Sequence, residues 1–160
     1  VRLSQGVEWT VHACVNLAWL PPDTAVPVTR LAEFHDLPSA YLNKHFQALA
    51  RRGVVTSRPG PRGGFTLARP PDRITLLDIV DAIEGPEPAF RCTEIRQRGP
   101  LPASRRDCRT PCQIASAMHR AEQAWRDELA TVSIADIADD VARTHPHVPD
   151  RVRAWFLREP

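Results

Sequence analysis

The stretch from Cys92 to Cys112 is rich in Arg and Pro and poor in apolar side chains, yet it holds three of the four cysteines. It cannot order itself by burying a core of its own. An unstructured loop of this length inside a compact domain is uncommon unless it is functional or disordered. Thiols in such a segment point to a metal as the ordering agent. Cys108 and Cys112 are four residues apart and lead into residues 113–125, which read as the start of a long helix. Cys112 therefore falls near a helix N-terminus, where the dipole and free N–H groups favour a thiolate. The fold has to be built from what flanks this loop.

Before the loop, Ser4 reads as an N-cap, followed by a helix to about Leu20 with Val7, Val11, Cys14, Val15 and Ala18 at helical spacing. Pro21-Pro22-Asp23 ends it. A short amphipathic helix over 27–35 and a turn at Asp36-Leu37-Pro38 come next. Ser39 reads as the cap of a helix over 40–52, with Leu42, Phe46, Leu49 and Ala50 on its apolar side and Gly53 as the terminator. Residues 54–57 and 65–67 are strand candidates around the basic turn Arg58 to Gly64. After it, Thr75 caps a helix over 76–83. Beyond the loop, a long helix runs over about 111–129, and Ser133 caps another over 134–143. The end holds His145 and His147, which read as solvated, and an apolar patch at Val152, Trp155, Phe156 and Leu157.

Helix, short helix, turn, helix and basic hairpin add up to a winged helix-turn-helix. The expected class is mainly α with a small β-wing, extended by the long helix. A helix with an apolar back and a polar front at Ser39, Tyr41, Asn43, Lys44, His45 and Gln47 fits the major groove of double-stranded DNA. The wing would set Arg58 and Arg62 against the backbone or in the minor groove, and its glycines allow close approach. Charge agrees: residues 1–69 carry eight Lys/Arg against four Asp/Glu, whereas 70–160 carry thirteen against fifteen.

Other classes are disfavoured. No stretch is long and apolar enough to span a bilayer, and no signal peptide is recognisable, so a cytoplasmic protein is expected. Four cysteines in such a chain favour metal or redox chemistry over a disulfide framework. No nucleophile elbow or phosphate-binding loop is present, and Gly60 to Gly64 has no following helix. The chain does not read as an enzyme.

Arg2-Leu3-Ser4, Tyr41-Leu42, Gly53-Val54-Val55, Gly60-Pro-Arg-Gly-Gly-Phe65, Leu67-Ala-Arg-Pro70 and Ile74-Thr-Leu-Leu-Asp-Ile-Val80 resemble the winged-helix iron–sulfur transcriptional regulators of the IscR/NsrR type. The resemblance covers about residues 2–135. It implies a homodimer whose long helices pack on each other and whose recognition helices read a pseudo-palindromic operator. It also implies that cysteines before and at the start of the long helix bind a cluster, with a ligand from the other subunit's first helix. Four regions follow: a DNA-binding domain (1–85), a cluster-binding loop (86–112), the dimerisation helix with the helix after it (113–143), and a C-terminal tail (144–160).

The cysteine spacing departs from the common family pattern, since Cys92 is sixteen residues from Cys108 and Cys108 four from Cys112. The first helix offers Glu8 and His12, four apart and so on one face. His and carboxylate can serve one iron of a 2Fe–2S cluster, much as two His replace two Cys in Rieske centres. Glu8 and His12 would hold one iron and Cys108 and Cys112 the other, which resembles the redox-sensing, RsrR-like branch of the family. Trp9, beside these ligands, is the candidate for coupling the cluster to DNA binding. Cys14 reads as a buried small hydrophobe, and Cys92 as a ligand, a replacement ligand or a bystander. Zinc on Cys, His and Glu is the chemical competitor. A cluster-free regulator sensing oxidants or nitric oxide through its thiols is the functional one.

Overall fold

Local sequence signals set most of the element boundaries. The computed structural model describes residues 2–158; Val1, Glu159 and Pro160, at the ends of the regions above, lie outside the described residues. In order it contains α1 (Gln5–Ala18), α2 (Val28–Phe34), α3 (Ser39–Arg51), β1 (Val55–Arg58), β2 (Gly64–Leu67), α4 (Leu76–Glu84), α5 (Gln113–Thr131), α6 (Ile134–Thr144) and α7 (Val148–Phe156). Short 3₁₀ turns lie at Pro71–Arg73, Ile95–Gln97 and Asp107–Arg109. This is the expected winged helix-turn-helix, mainly helical with one antiparallel two-stranded sheet. Arg2–Pro86 and the residues from Leu129 onward pack as one compact unit, and Glu87–Glu128 form a second.

The larger unit is built on one apolar core. Ala13 and Cys14 of α1, Leu31 of α2, Leu42, Phe46 and Leu49 of α3, Ile79 of α4 and Ile134 of α6 are all fully buried. Phe46 packs on Phe65 of the wing with ring centroids 5.0 Å apart, which fixes the hairpin to α3. Truncating such a buried Phe costs about 3–5 kcal/mol.

The wing is anchored at its base as well. β1 pairs with β2 from Val55–Leu67 to Arg58–Gly64. Val26, before α2, exchanges two backbone hydrogen bonds with Phe65, at 3.0 and 2.8 Å. Gly64 makes this approach possible, because a Cβ there would stand 2.3 Å from the Val26 carbonyl oxygen.

Helix ends follow the residues that close them. After α3, Gly53 takes φ +68°; its N–H donates to Ala50 O, and that of Val54 donates to Leu49 O at 3.0 Å, a Schellman closure. Thr75–Asp78 and Ser133–Asp136 each form a reciprocal capping box. The two box segments also pair: Leu76 N–H donates to Val132 O at 2.9 Å, and Ile134 N–H to Ile74 O at 2.8 Å. The starts of α4 and α6 are thereby tied together.

Three readings need correction. Ser39 is the first helical residue rather than the cap. Pro38 holds the cap position, and its carbonyl accepts from Tyr41 and Leu42 N–H. Ser4 occupies the cap position of α1, but its hydroxyl donates to Glu84 Oε1 at 2.6 Å instead of capping the helix. The apolar patch after residue 147 belongs to a helix, α7, started by Pro149 in its first turn.

Candidate donor pairs and nucleic-acid interface

Burial of Leu42, Phe46 and Leu49 turns the opposite face of α3 outward. Ser39, Tyr41, Asn43 and Lys44 are all exposed there, Tyr41 at 63%. A stable apolar back thus presents the polar set expected to face a base-pair edge. At the wing, Arg62 is exposed and has no ion-pair partner among the described residues. Arg58 is held on the protein side of the wing. Its guanidinium donates to Asp23 O at 2.8 Å and Asp23 Oδ1 at 2.5 Å, so it ties the wing to the turn after α1.

The inner edge of α3 meets α1. His45 is half-buried over Gly6, where a Cβ would stand 2.4 Å from the imidazole Cε1. Trp9 packs edge-on to the same ring, with centroids 6.3 Å apart. Burial pushes the His45 pKa down; the Lys44 charge adds to this and Glu84 opposes it. His45, expected on the polar front of this helix, instead turns toward α1, where Gly6 leaves the gap that its ring fills.

Glu8 and His12 are one turn apart on α1 and both exposed. Neither side chain has a hydrogen-bond or ion-pair partner among the described residues. The His12 ring faces that of His35 at a centroid distance of 5.6 Å. Nδ2 of buried Asn16 lies 2.8 Å from His35 Nε2. Burial lowers the His35 pKa, and His12 adds to the effect. Cys14 on the same helix is fully buried and its thiol is pushed up to about 12, as expected of a packed hydrophobe.

In the second unit, Cys108 and Cys112 are half-buried and Cys92 is exposed. The Cys112 thiol is held below its ordinary pKa, first by the N–H groups of Ala115 and Ile114 in the first turn of α5 and then by Arg96. Arg96 lies within electrostatic reach of both Cys108 and Cys112. It is fixed by a two-point pairing with Glu94, at 2.6 and 2.8 Å, and by a bond to Thr110 O at 3.2 Å. Cys92 Sγ accepts the Glu94 N–H at 3.4 Å. The loop is therefore organised by a cation between its two halves, a role no spacing motif marks.

Among the described residues of one chain, no three His, Cys, Asp or Glu side chains form a metal site. Glu8 and His12 lie on α1 of the larger unit, and Cys108 and Cys112 lie in the second unit. No helix among the described residues is long and apolar enough to cross a membrane.

Residues 3–140 match the family described as Rrf2, iron-dependent transcriptional regulator. The chain is 31% identical over 140 residues to the HTH-type transcriptional regulator YffB of Lactococcus lactis subsp. lactis, covering 88% of each protein. It is similar in structure to CymR (YrzC), the global cysteine regulator of B. subtilis, with a TM-score of 0.65 and 22% identity over 87% of this chain and 97% of that one. T. potens IscR gives a TM-score of 0.66 and 21% identity, covering 91% of each chain. At these identities the two structures bear on the fold alone.

Proposed function

The chain belongs to the Rrf2 family of transcriptional regulators, and from that premise we propose a homodimer whose operator affinity is set by the redox state of a 2Fe–2S cluster. α3 would enter the major groove of each half-site of a pseudo-palindromic operator, with Ser39, Tyr41, Asn43 and Lys44 toward the DNA and Arg62 on the backbone. Arg58 would brace the wing through Asp23. For dimerisation, α5 carries Ile114, Met118, Ala121 and Trp125 at alternating spacings of four and three. Ile114 and Met118 are 68% and 45% exposed, which suits a helix that packs against its copy.

The residues present fit the cluster. Two irons need four protein donors, and the chain supplies two pairs of suitable chemistry. Cys108 and Cys112 provide sulfur, with Arg96 and the start of α5 favouring the thiolate form that ligation needs. Glu8 and His12 provide oxygen and nitrogen, and neither is engaged elsewhere by a hydrogen bond. Glu8 and His12 of one protomer would act with Cys108 and Cys112 of the other. Bound there, the cluster supplies a reversible one-electron couple.

The observation that carries this reading is the packing of Trp9 on His45. Trp9 adjoins the donor Glu8 on α1, and His45 belongs to the recognition helix. A change in the charge that Glu8 and His12 must accommodate would move the Trp9 ring, and α3 would shift with it. Protein purified without oxygen tests the cluster itself. We expect iron and sulfide in a ratio near one and a visible absorption that dithionite bleaches. Colourless protein holding zinc would overturn it.

The low pKa of Cys112 and the exposure of Cys92 favour a second reading, in which oxidants act on the thiols directly. Glu8→Ala and His12→Ala separate the two. Retained redox control of DNA binding in these variants supports direct thiol sensing.

A further inference from the structure

α7 lies beyond the residues matched by the family, yet it builds a cleft. Phe34 at the end of α2 meets the Trp155 ring edge-on at 5.1 Å. Arg30 covers the Trp155 ring at 3.9 Å from its centroid and donates to Trp155 O. With Val152, these aromatic rings line a half-open cleft of about 430 Å3, whose remaining wall includes Arg151 and Arg158. That volume lies within the usual range for small-molecule sites, roughly 300–1,000 Å3, which combine apolar walls with a few placed polar groups.

The charged side chains that line this cleft among the described residues, Arg151 and Arg158, are both cationic. Among the described residues, Arg153 on the same helix is paired with Asp150, and Arg30 with Glu33. Arg151 and Arg158 line the cleft and have no ion-pair partner among the described residues. Arg151 lies one turn before Trp155 on α7 and Arg158 just past the end of the helix, and all three line the same cleft. Two unneutralised guanidinium groups beside an aromatic wall suit an anionic head on an apolar body.

The geometry points to a ligand site between α2 and α7 for a small amphipathic carboxylate, its aryl or alkyl body against Phe34, Val152 and Trp155 and its carboxylate on Arg151 and Arg158. This site uses none of Glu8, His12, Cys108 and Cys112, so it does not require a bound cluster. Its inner wall, Phe34, directly precedes His35, which faces His12.

The probes are 4-phenylbutyrate and its neutral counterpart 4-phenylbutan-1-ol, titrated into the full-length protein by calorimetry. We expect saturable binding of the carboxylate at one site per chain, at least about tenfold tighter than the alcohol, the order expected of charge-assisted hydrogen bonds. The double variant Arg151→Gln/Arg158→Gln should bind both probes alike. Ala154→Trp, at an exposed position of the same cleft, should block both. Circular dichroism confirms that each variant is folded. Equal binding of acid and alcohol by the unmodified protein, a preference that survives the double Gln variant, or undiminished binding by folded Ala154→Trp would each overturn the site.

Discussion

Trp9 of α1 meets His45 of α3 edge-on, with ring centroids 6.3 Å apart and planes at 76°. The contact joins the helix that carries Glu8 and His12 to the helix that presents Tyr41 and Lys44. This pair, with Gly6 beneath it, is one of the places where α1 meets α3, beside the core shared by Ala13, Cys14, Leu42 and Phe46.

Gly6→Ala tests the fit of that joint. The added methyl would stand 2.4 Å from His45 Cε1 and 2.6 Å from Nε2, so the imidazole must move. Overpacking of this kind costs about 1–3 kcal/mol. We expect a lower denaturation midpoint and weaker operator binding in both redox states, measured by urea titration and by DNA titration.

His45 should make stability depend on pH. Its pKa is depressed in the fold, chiefly by burial, with Lys44 lowering it further and Glu84 raising it. Below its ordinary value of about 6.5 the unfolded chain takes up the proton and the folded chain does not. Stability therefore falls as pH drops below that value, until the folded pKa is reached. Melting curves between about pH 5 and 8 should show the slope, and it should be smaller in His45→Gln.

Arg96→Gln removes the cation from between the two halves of the cysteine loop. Cys112 then loses one of the influences that lower its pKa, while keeping the Ala115 and Ile114 N–H groups. In metal-free protein, the pH at which Cys112 is half-alkylated should rise toward the unperturbed thiol value of about 8.5 without reaching it. An unchanged profile would show that Arg96 has no hold on the thiol.

Ser133→Ala opens the capping box with Asp136 and should cost about 1 kcal/mol of stability. The Asp136 carboxyl, now held below its ordinary pKa first by the Ser133 hydroxyl and then by its backbone N–H, should move upward. Chemical denaturation and carboxyl NMR titration measure the two effects.

These positions also show how far the sequence was readable. Thr75, Ser133 and Gly53 were legible because capping chemistry is local: the partner is a few residues away and its type is prescribed. Glu8 and His12 stood out because a spacing of four places them on one helical face. Ser39 was misread because a proline carbonyl can serve the first turn as well as a hydroxyl, and sequence does not show which one does. α7 went unread because its helical run is short, with Pro146 just before it and Pro149 in its first turn. Arg96 and His45 depend on partners brought near by the path of a loop or the absence of a side chain at Gly6. Those are tertiary facts with no local signature.

The most direct test is an operator titration of cluster-loaded protein, oxidised and reduced, at one fixed salt concentration because affinity varies steeply with ionic strength. The predicted result is a ratio of affinities within the usual range for allosteric coupling, roughly 5- to 150-fold, that collapses toward one in Trp9→Ala. Equal affinities of the two redox states in the unmodified protein would contradict the account.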